Sequence, residues 1–565
     1  MPSLDSPTVA LQPMAFSDRQ TPMPGDVDVK KSELPEDILA DGESATILTG
    51  RRLAIVFAAF CMSFFLVALD QTILSTALPT IASHFNAVDN ISWIASAYFL
   101  PQAAFMLFFG KILAVLPAKA VFMVSVFVFE LGSLFCAVSF SVEFLIFGRA
   151  VAGLGGTGMW ASIMSIIARI TTLETRPILL GLFGAVFAVS SIIGPIIGGA
   201  FSDHVTWRWC FYINLPIGGV ALAIVFVVLP NLRVVAGSGK LTALMRLDWI
   251  GAILNFGFVT FLLIALQYGG NELPWDDGMV IAFLVLAAVF AIVFVLWERR
   301  AGPRAVLPLE VALRRNVLVS TVAAVFIFMS FVVFNVGSTC RSLVYSCFEL
   351  TKKLPLFYQV KGHSATRSGI DILPFMISGV LATLVTGGVV SKTGFAWPFL
   401  ALAPILPCVG FGILFTVDQG TSFGTLFGYQ LLVGIGLGCV TTLPLVVAQA
   451  EFADREDLIP LATSFSTFGQ LIGSSVGLAV SGAVFASQLK HELGKLALPS
   501  AELVPVLSSV KAIVTLPVEA RSGVISAYIA SIQRVFLIGI PATALALIVS
   551  LLLVKNRLNK TPGVV

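Results

Sequence analysis

Fourteen stretches of this chain are apolar almost without interruption, and the polar residues gather between them. The runs lie near 53–80, 92–112, 120–140, 144–168, 178–200, 211–229, 249–268, 279–297, 317–337, 368–390, 396–416, 423–447, 461–486 and 531–554. A helix needs about 20 mainly apolar residues to cross the hydrocarbon core of a bilayer. Each run is close to that length, so the pattern predicts an all-α polytopic membrane protein with about fourteen transmembrane helices. The segments are continuously apolar and longer than barrel strands, which excludes a β-barrel.

The charges between the runs set the orientation. Lys111 and Lys119 follow span 2, Arg169 and Arg176 follow span 4, Arg233, Lys240 and Arg246 follow span 6, and Arg299, Arg300, Arg304, Arg314 and Arg315 follow span 8. The loops after spans 1, 3, 7 and 11 carry no Lys or Arg. Short cytoplasmic loops hold the excess of basic residues, so both termini are expected in the cytoplasm. Asn90-Ile91-Ser92 is formally a glycosylation sequon on the outer side, but it abuts span 2 and is expected to stay unmodified. The loop between spans 9 and 10 breaks the charge rule with Arg341, Lys352, Lys353, Lys361 and Arg367. Its unusual stretch 337–353 reads as an insertion without a role, the alternative being an outer loop that selects substrates.

A weak internal echo divides the chain. Span 2 ends in Gly110-Lys111-Ile112-Leu113 and span 10 in Gly387-Gly388-Val389-Val390, while span 4 carries Gly153-Leu154-Gly155-Gly156 and span 12 Gly434-Ile435-Gly436-Leu437-Gly438. Matching spans 1–6 to spans 9–14 leaves spans 7 and 8 as an insert. The expected organisation is a disordered cytoplasmic tail over 1–50, a six-helix bundle over 51–229, a linker with two helices over 230–315, a second six-helix bundle over 316–554 and a tail over 555–565. Repeats of this kind frame a central substrate site.

Composition agrees with the lipid setting: of 565 residues, 57% are hydrophobic and 12% charged, with a mean hydropathy of +0.97. The formal net charge of +3 comes without any long Lys/Arg block, which argues against a nucleic-acid partner. Residues 1–50 contain six prolines and lack the apolar core of a cleavable signal peptide. The seven cysteines form no C-x-x-C pair, and His84, His204, His363 and His491 stand singly between the runs. No metal site and no catalytic constellation is expected. Gly237-Ser238-Gly239-Lys240 lacks the first glycine and the Ser/Thr of a phosphate loop, so ATP is not expected to drive the protein and no cofactor is implied.

Polar residues inside the spans are the candidates for chemistry. Asp70 sits near the middle of span 1 in Leu69-Asp70-Gln71-Thr72, where an ionised carboxylate costs about 3 kcal/mol on insertion scales. Desolvation favours the neutral acid, so a proton taken and released here is one reading and a polar packing contact the other. Arg149 opens span 4 and cannot shed its charge. It either acts on a nearby carboxylate, helping to expel its proton, or snorkels to the interface. Glu130 in span 3 reads as structural, and Asp371 as a helix cap. In Gly194-Pro195-Ile196-Ile197-Gly198-Gly199 the glycines allow close helix approach and Pro195 removes a backbone donor. Gln102, Gln267, Asn335, Gln430, Gln449 and Gln470 either line a cavity or tie helices together.

Taken together, these segments resemble the fourteen-helix drug:proton antiporter family of the major facilitator superfamily, close to fungal multidrug and toxin efflux pumps. The resemblance covers nearly all of 50–555. It rests on Leu69-Asp70-Gln71-Thr72-Ile73 with Ala77-Leu78-Pro79, on Trp93-Ile94 with Tyr98-Phe99-Leu100, and on Gly148-Arg149-Ala150 with Gly153-Leu154-Gly155. The helix 5 run and Trp207-Arg208-Trp209 through Asn214-Leu215-Pro216-Ile217-Gly218 complete it. The resemblance implies two six-helix bundles plus two inserted helices, proton coupling by Asp70 and Arg149, and an antiporter motif at Gly194, Pro195, Gly198 and Gly199. The loop after span 2 departs from the superfamily pattern, because Ala114, Pro117 and Ala118 replace its Asp, Gly and Arg.

The expected protein is therefore a monomeric, proton-driven exporter of small hydrophobic organic compounds in the cell membrane, with the vacuolar membrane as alternative. Its partners would be the cargo, protons and lipid. The alternatives are a siderophore or vacuolar basic amino-acid carrier and, from another class, a non-transporting membrane sensor.

Overall fold

The computed structural model describes residues 48–85, 91–230, 247–270, 273–335, 372–418, 420–496 and 516–554. The tails, the phosphate-loop-like segment, the sequon's Asn90, the 337–353 stretch, Asp371, His363, Cys340 and Cys347 lie outside the described residues. By contact the chain divides into Met1–Ala45 and Thr46–Val565, and every described residue belongs to the second part.

Among the described residues, fourteen helices are long and apolar enough to cross a membrane. They are α1 (Gly50–Phe85), α2 (Ile91–Val115), α3 (Ala118–Ala137), α4 (Val142–Ile170) and α5 (Arg176–His204), α6 (Trp209–Val228), α7 (Trp249–Tyr268), α8 (Gly278–Ala301), α9 (Arg315–Asn335) and α10 (Leu373–Thr393), α11 (Trp397–Leu414) and α12 (Gly424–Ala450), and α13 (Ile459–Gly494) and α14 (Val518–Ser550). Local chemistry sets several ends. Ser141 caps α4 by accepting from Phe144 N at 3.2 Å, and Asp248 caps α7 by accepting from Gly251 N at 2.8 Å, each satisfying an amide the helix leaves unpaired. Gly394 ends α10 at φ 75°, a left-handed conformation that glycine adopts without steric cost. Prolines interrupt others: α12 breaks between Val440 and Leu443, just before Pro444, and α11 breaks at Ala403-Pro404.

Helix ends differ from the hydropathy reading where the helix outlasts its apolar run. α13 continues to Gly494 and α14 begins at Val518, because polar residues that have left the hydrocarbon core still satisfy their backbone in a helix. The same effect moves histidines out of the expected loops. His84 lies in the last turn of α1, His204 ends α5 and His491 lies in the last turn of α13.

Contacts among α1–α6 recur eight helices later. α1 packs on α5 and α6, α2 on α4, and α3 on α4 and α6. Correspondingly α9 packs on α13 and α14, α10 on α12, and α11 on α12 and α14. The main contacts between the two sets are α2 with α13 and α5 with α10, which exchange under the same correspondence. α7 and α8 pair with each other, and α7 leans on α2 and α13. α8 is the most apolar span and the least buried, so its side chains, among them Ile281, Val285 and Ile292, point outward to what must be lipid.

Candidate functional site

Three successive residues of α1 serve three different partners, because each step along a helix turns by about 100°. Asp70 faces α4, where its Oδ2 lies 2.6 Å from Arg149 Nη1. Gln71 faces the central cavity. Thr72 Oγ1 lies 3.0 Å from the Ala68 carbonyl of its own turn and 3.0 Å from the Ser190 carbonyl of α5.

The Asp70–Arg149 pair is buried, at 0% and 1% exposure. Since Ser141 starts α4 early, Arg149 stands two turns inside the helix rather than at its opening, and the snorkelling alternative is overturned. Its Nε donates to the Ile94 carbonyl at 3.2 Å. The guanidinium carbon sits 4.4 Å from the centre of the Tyr98 ring and 6.0 Å from that of Phe211, a stacking arrangement suited to a desolvated cation. Asp70 Oδ1 is buried with no hydrogen-bond partner among the described residues. Tyr98, fully buried beneath the guanidinium, stands in a segment that carries the family resemblance, but nothing along the chain marks it as the partner of Arg149.

Glu130 of α3 points at α6. A Cβ at Gly218 would come 3.2 Å from Glu130 Cγ and closer still to its carboxylate, so the glycine makes room for the acid. One turn away Asn214 Nδ2 donates to Ser133 Oγ at 3.1 Å. The Trp207–Gly218 run thus works as the seat of α3, with Arg208 Nη2 donating to the Ser139 carbonyl at 2.7 Å and its guanidinium stacked 4.5 Å from Trp207.

The glycine run of α5 divides by face. A Cβ at Gly194 would lie 2.8 Å from Thr72 Cβ, and one at Gly198 would lie 2.5 Å from Thr76 Oγ1 and 3.0 Å from Ile73 Cγ1. Gly199 has nothing within 4 Å. Gly194 and Gly198, four residues apart and on one face, therefore let α5 touch α1 beside Asp70, whereas Gly199 takes no part in that contact. Pro195 stays within an unbroken helix.

Between the two helix sets lies a cavity of about 320 Å³. One wall is Phe64, Trp160 and Phe183, whose rings lie 4.8 Å, 5.3 Å and 5.8 Å apart pairwise. The other is Phe328, Phe331 and Phe375, with successive centroids 6.1 Å and 6.0 Å apart. Of the six amides expected to line a cavity or tie helices, Gln102 and Gln470 line this one. Gln267, Gln430 and Gln449 are not among its lining residues; Gln449 instead donates to Thr463 Oγ1 at 3.2 Å, joining α12 to α13. The side chain of Asn335 is outside the described residues. Gln71 is the lining amide that sequence reading missed, hidden beside the more conspicuous aspartate.

The two sets close on each other at one end. A Cβ at Gly110 of α2 would meet Ser464 Cβ of α13 at 2.6 Å, and one at Gly387 of α10 would meet the Pro177 carbonyl of α5 at 2.8 Å. At this end Lys111 lies within α2 rather than after it and is buried. Its Nζ donates to the Pro303 carbonyl beyond α8 at 2.7 Å, while Arg169 Nη2 donates to the Leu113 carbonyl at 3.2 Å. Where the superfamily loop pattern has its Asp, Gly and Arg, this chain ties the end of α2 to its inserted helices.

Compared with known proteins, residues 60–478 match the family described as the Major Facilitator Superfamily. The MFS-type transporter astH of Aspergillus oryzae is 33% identical over 538 residues, covering 94% of this chain and 91% of that protein. The rubrofusarin-specific efflux pump aurT of Gibberella zeae is 35% identical over 506 residues, 89% of each. Among solved structures, the human organic anion transporter MFSD10 superposes with a TM-score of 0.56 at 15% identity, covering 89% of this chain and 99% of that one, a likeness of fold.

Proposed function

The chain belongs to the major facilitator superfamily of membrane transporters, and from that premise we propose that it exports small, mainly hydrophobic organic compounds in exchange for protons. The observation that carries this reading is the cavity between the two helix sets with the buried Asp70–Arg149 pair one residue behind its lining Gln71. Curated relatives that match over most of their length bear the names of fungal efflux pumps, which supports export as the direction.

In this reading Asp70 takes a proton on its free Oδ1, which weakens its hold on Arg149. Loss of the ion pair loosens α1 from α4 beside the α1–α5 contact. The guanidinium stays charged throughout, so the pair re-forms once the proton has left. With the basic loops taken as cytoplasmic, both termini and the closed end face the cell interior, so the conformation is one shut toward the cytoplasm, with the cell membrane as the expected location. A basic amino-acid cargo would need carboxylates, and the described cavity lining contains none.

Efflux of aromatic toxins from pump-deficient yeast tests the reading. Export by the wild type should fall to background both with Asp70→Asn and with an uncoupler, at equal surface protein. Export that survives both would sink the proton-coupling assignment.

A further inference from the structure

The geometry points to an uncharged aromatic cargo that carries a hydrogen-bonding group, recognised by Gln102 and Gln470, with organic cations and anions excluded. This rests on the exporter reading and narrows it. Among the described residues, the cavity lining contains no Asp, Glu, Lys, Arg or His. Asp70, next to the lining Gln71, is paired with Arg149 and both are buried. An ion entering this space would lose its hydration with no counter-charge to replace it, which costs several kcal/mol per ion in a protein interior.

The polar side chains of the lining are the amides Gln71, Gln102 and Gln470 and six hydroxyls, of which Thr442 and Ser474 face the cavity alongside the four that are already engaged. The hydroxyls of Thr157, Thr383, Thr441 and Thr467 already donate to carbonyls of their own helices. Thr383 also reaches the Gly438 carbonyl at 2.7 Å. Hydroxyls so engaged retain acceptor capacity but have no proton to offer. An amide offers both two donors and an acceptor. Gln102 stands on α2 and Gln470 on α13, one from each helix set, so a cargo bonded to both spans the boundary that must open during transport. Gly156 lines the cavity beside Gln102, and a Cβ there would lie 3.4 Å from its Nε2 and 3.0 Å from the Tyr98 hydroxyl. The two aromatic walls, Phe64–Trp160–Phe183 and Phe328–Phe331–Phe375, likewise belong one to each set. Flat faces on both sides suit a planar ring system.

The test uses the purified full chain and four probes: naphthalene, naphthamide, naphthalenesulfonate and naphthyltrimethylammonium, with binding read by quenching of tryptophan fluorescence. Naphthamide should bind, and both charged probes should bind at least roughly a hundredfold more weakly, because their charge is buried unpaired. Gln102→Leu and Gln470→Leu should each weaken naphthamide roughly 2–10-fold, the range of one neutral hydrogen bond, and leave naphthalene unchanged. Unchanged naphthalene binding also certifies that the variants are folded. Charged probes that bind as tightly as naphthamide would overturn the inference while leaving proton-driven export standing. Failure of naphthamide to bind wild type would overturn it as well. The exporter reading fails separately, if cells expressing the protein show no uncoupler-sensitive efflux of a compound that binds.

Discussion

Arg149→Leu should leave little folded protein in the membrane, and adding Asp70→Asn to it should restore much of the fold without restoring coupled export. Taking away the guanidinium strands a carboxylate that is 0% exposed, and breaking one side of a buried pair typically costs about 3–5 kcal/mol. The double replacement removes both charges, and swapping a buried pair for neutral groups is often close to neutral in stability. Thermal melts of the detergent-purified chain, together with surface quantity, would give the four corners of a double-mutant cycle. A coupling energy near zero between positions 70 and 149 would mean that the pair does not hold α1 to α4. Good folding of the double variant with full, uncoupler-sensitive export would instead remove the pair from the proton pathway.

Gly198→Val should abolish export, whereas Gly199→Val, one residue away, should leave it near wild type. At 198 a side chain would run into Ile73 and Thr76 of α1, while at 199 nothing lies within 4 Å. Overpacking a tight contact costs typically about 1–3 kcal/mol and displaces backbone. Here the displaced helix carries Asp70, so the loss appears in transport before it appears in stability. Gly194→Val should behave like Gly198→Val, since a Cβ there would sit 2.8 Å from Thr72 Cβ. Equal export by the 198 and 199 variants in the same cells would show that the run is generic small-residue packing and no gate.

Much of the architecture was legible in the sequence because lipid imposes a simple rule. Backbone groups in hydrocarbon must be satisfied within the segment, so an apolar run of sufficient length is a helix, and fourteen runs became fourteen helices. Asp70 and Arg149 were conspicuous for the same reason, as charges where charges are expensive. The polar amides were less legible. Gln102, Gln449 and Gln430 look alike along the chain, yet the first lines the cavity, the second bonds Thr463, and the third is buried outside the cavity lining. Gln71 passed unnoticed, although it lies between Asp70 and Thr72 and faces the cavity that neither of them reaches.

By itself, then, the sequence determined the number and rough extent of the spans, the basic asymmetry of the loops and the pair of charges that had to find each other or water. These follow from the cost of moving a group into lipid, which depends on one residue and its neighbours in the chain. Tertiary structure decided which glycines are contacts, which glutamines face cargo, that Arg149 is a buried partner rather than an interfacial cation, and that the end of α2 is tied to the inserted helices through Lys111. Those outcomes depend on which face of each helix meets which neighbour. In a bundle where nearly every face is apolar, no periodicity along the chain marks that face in advance.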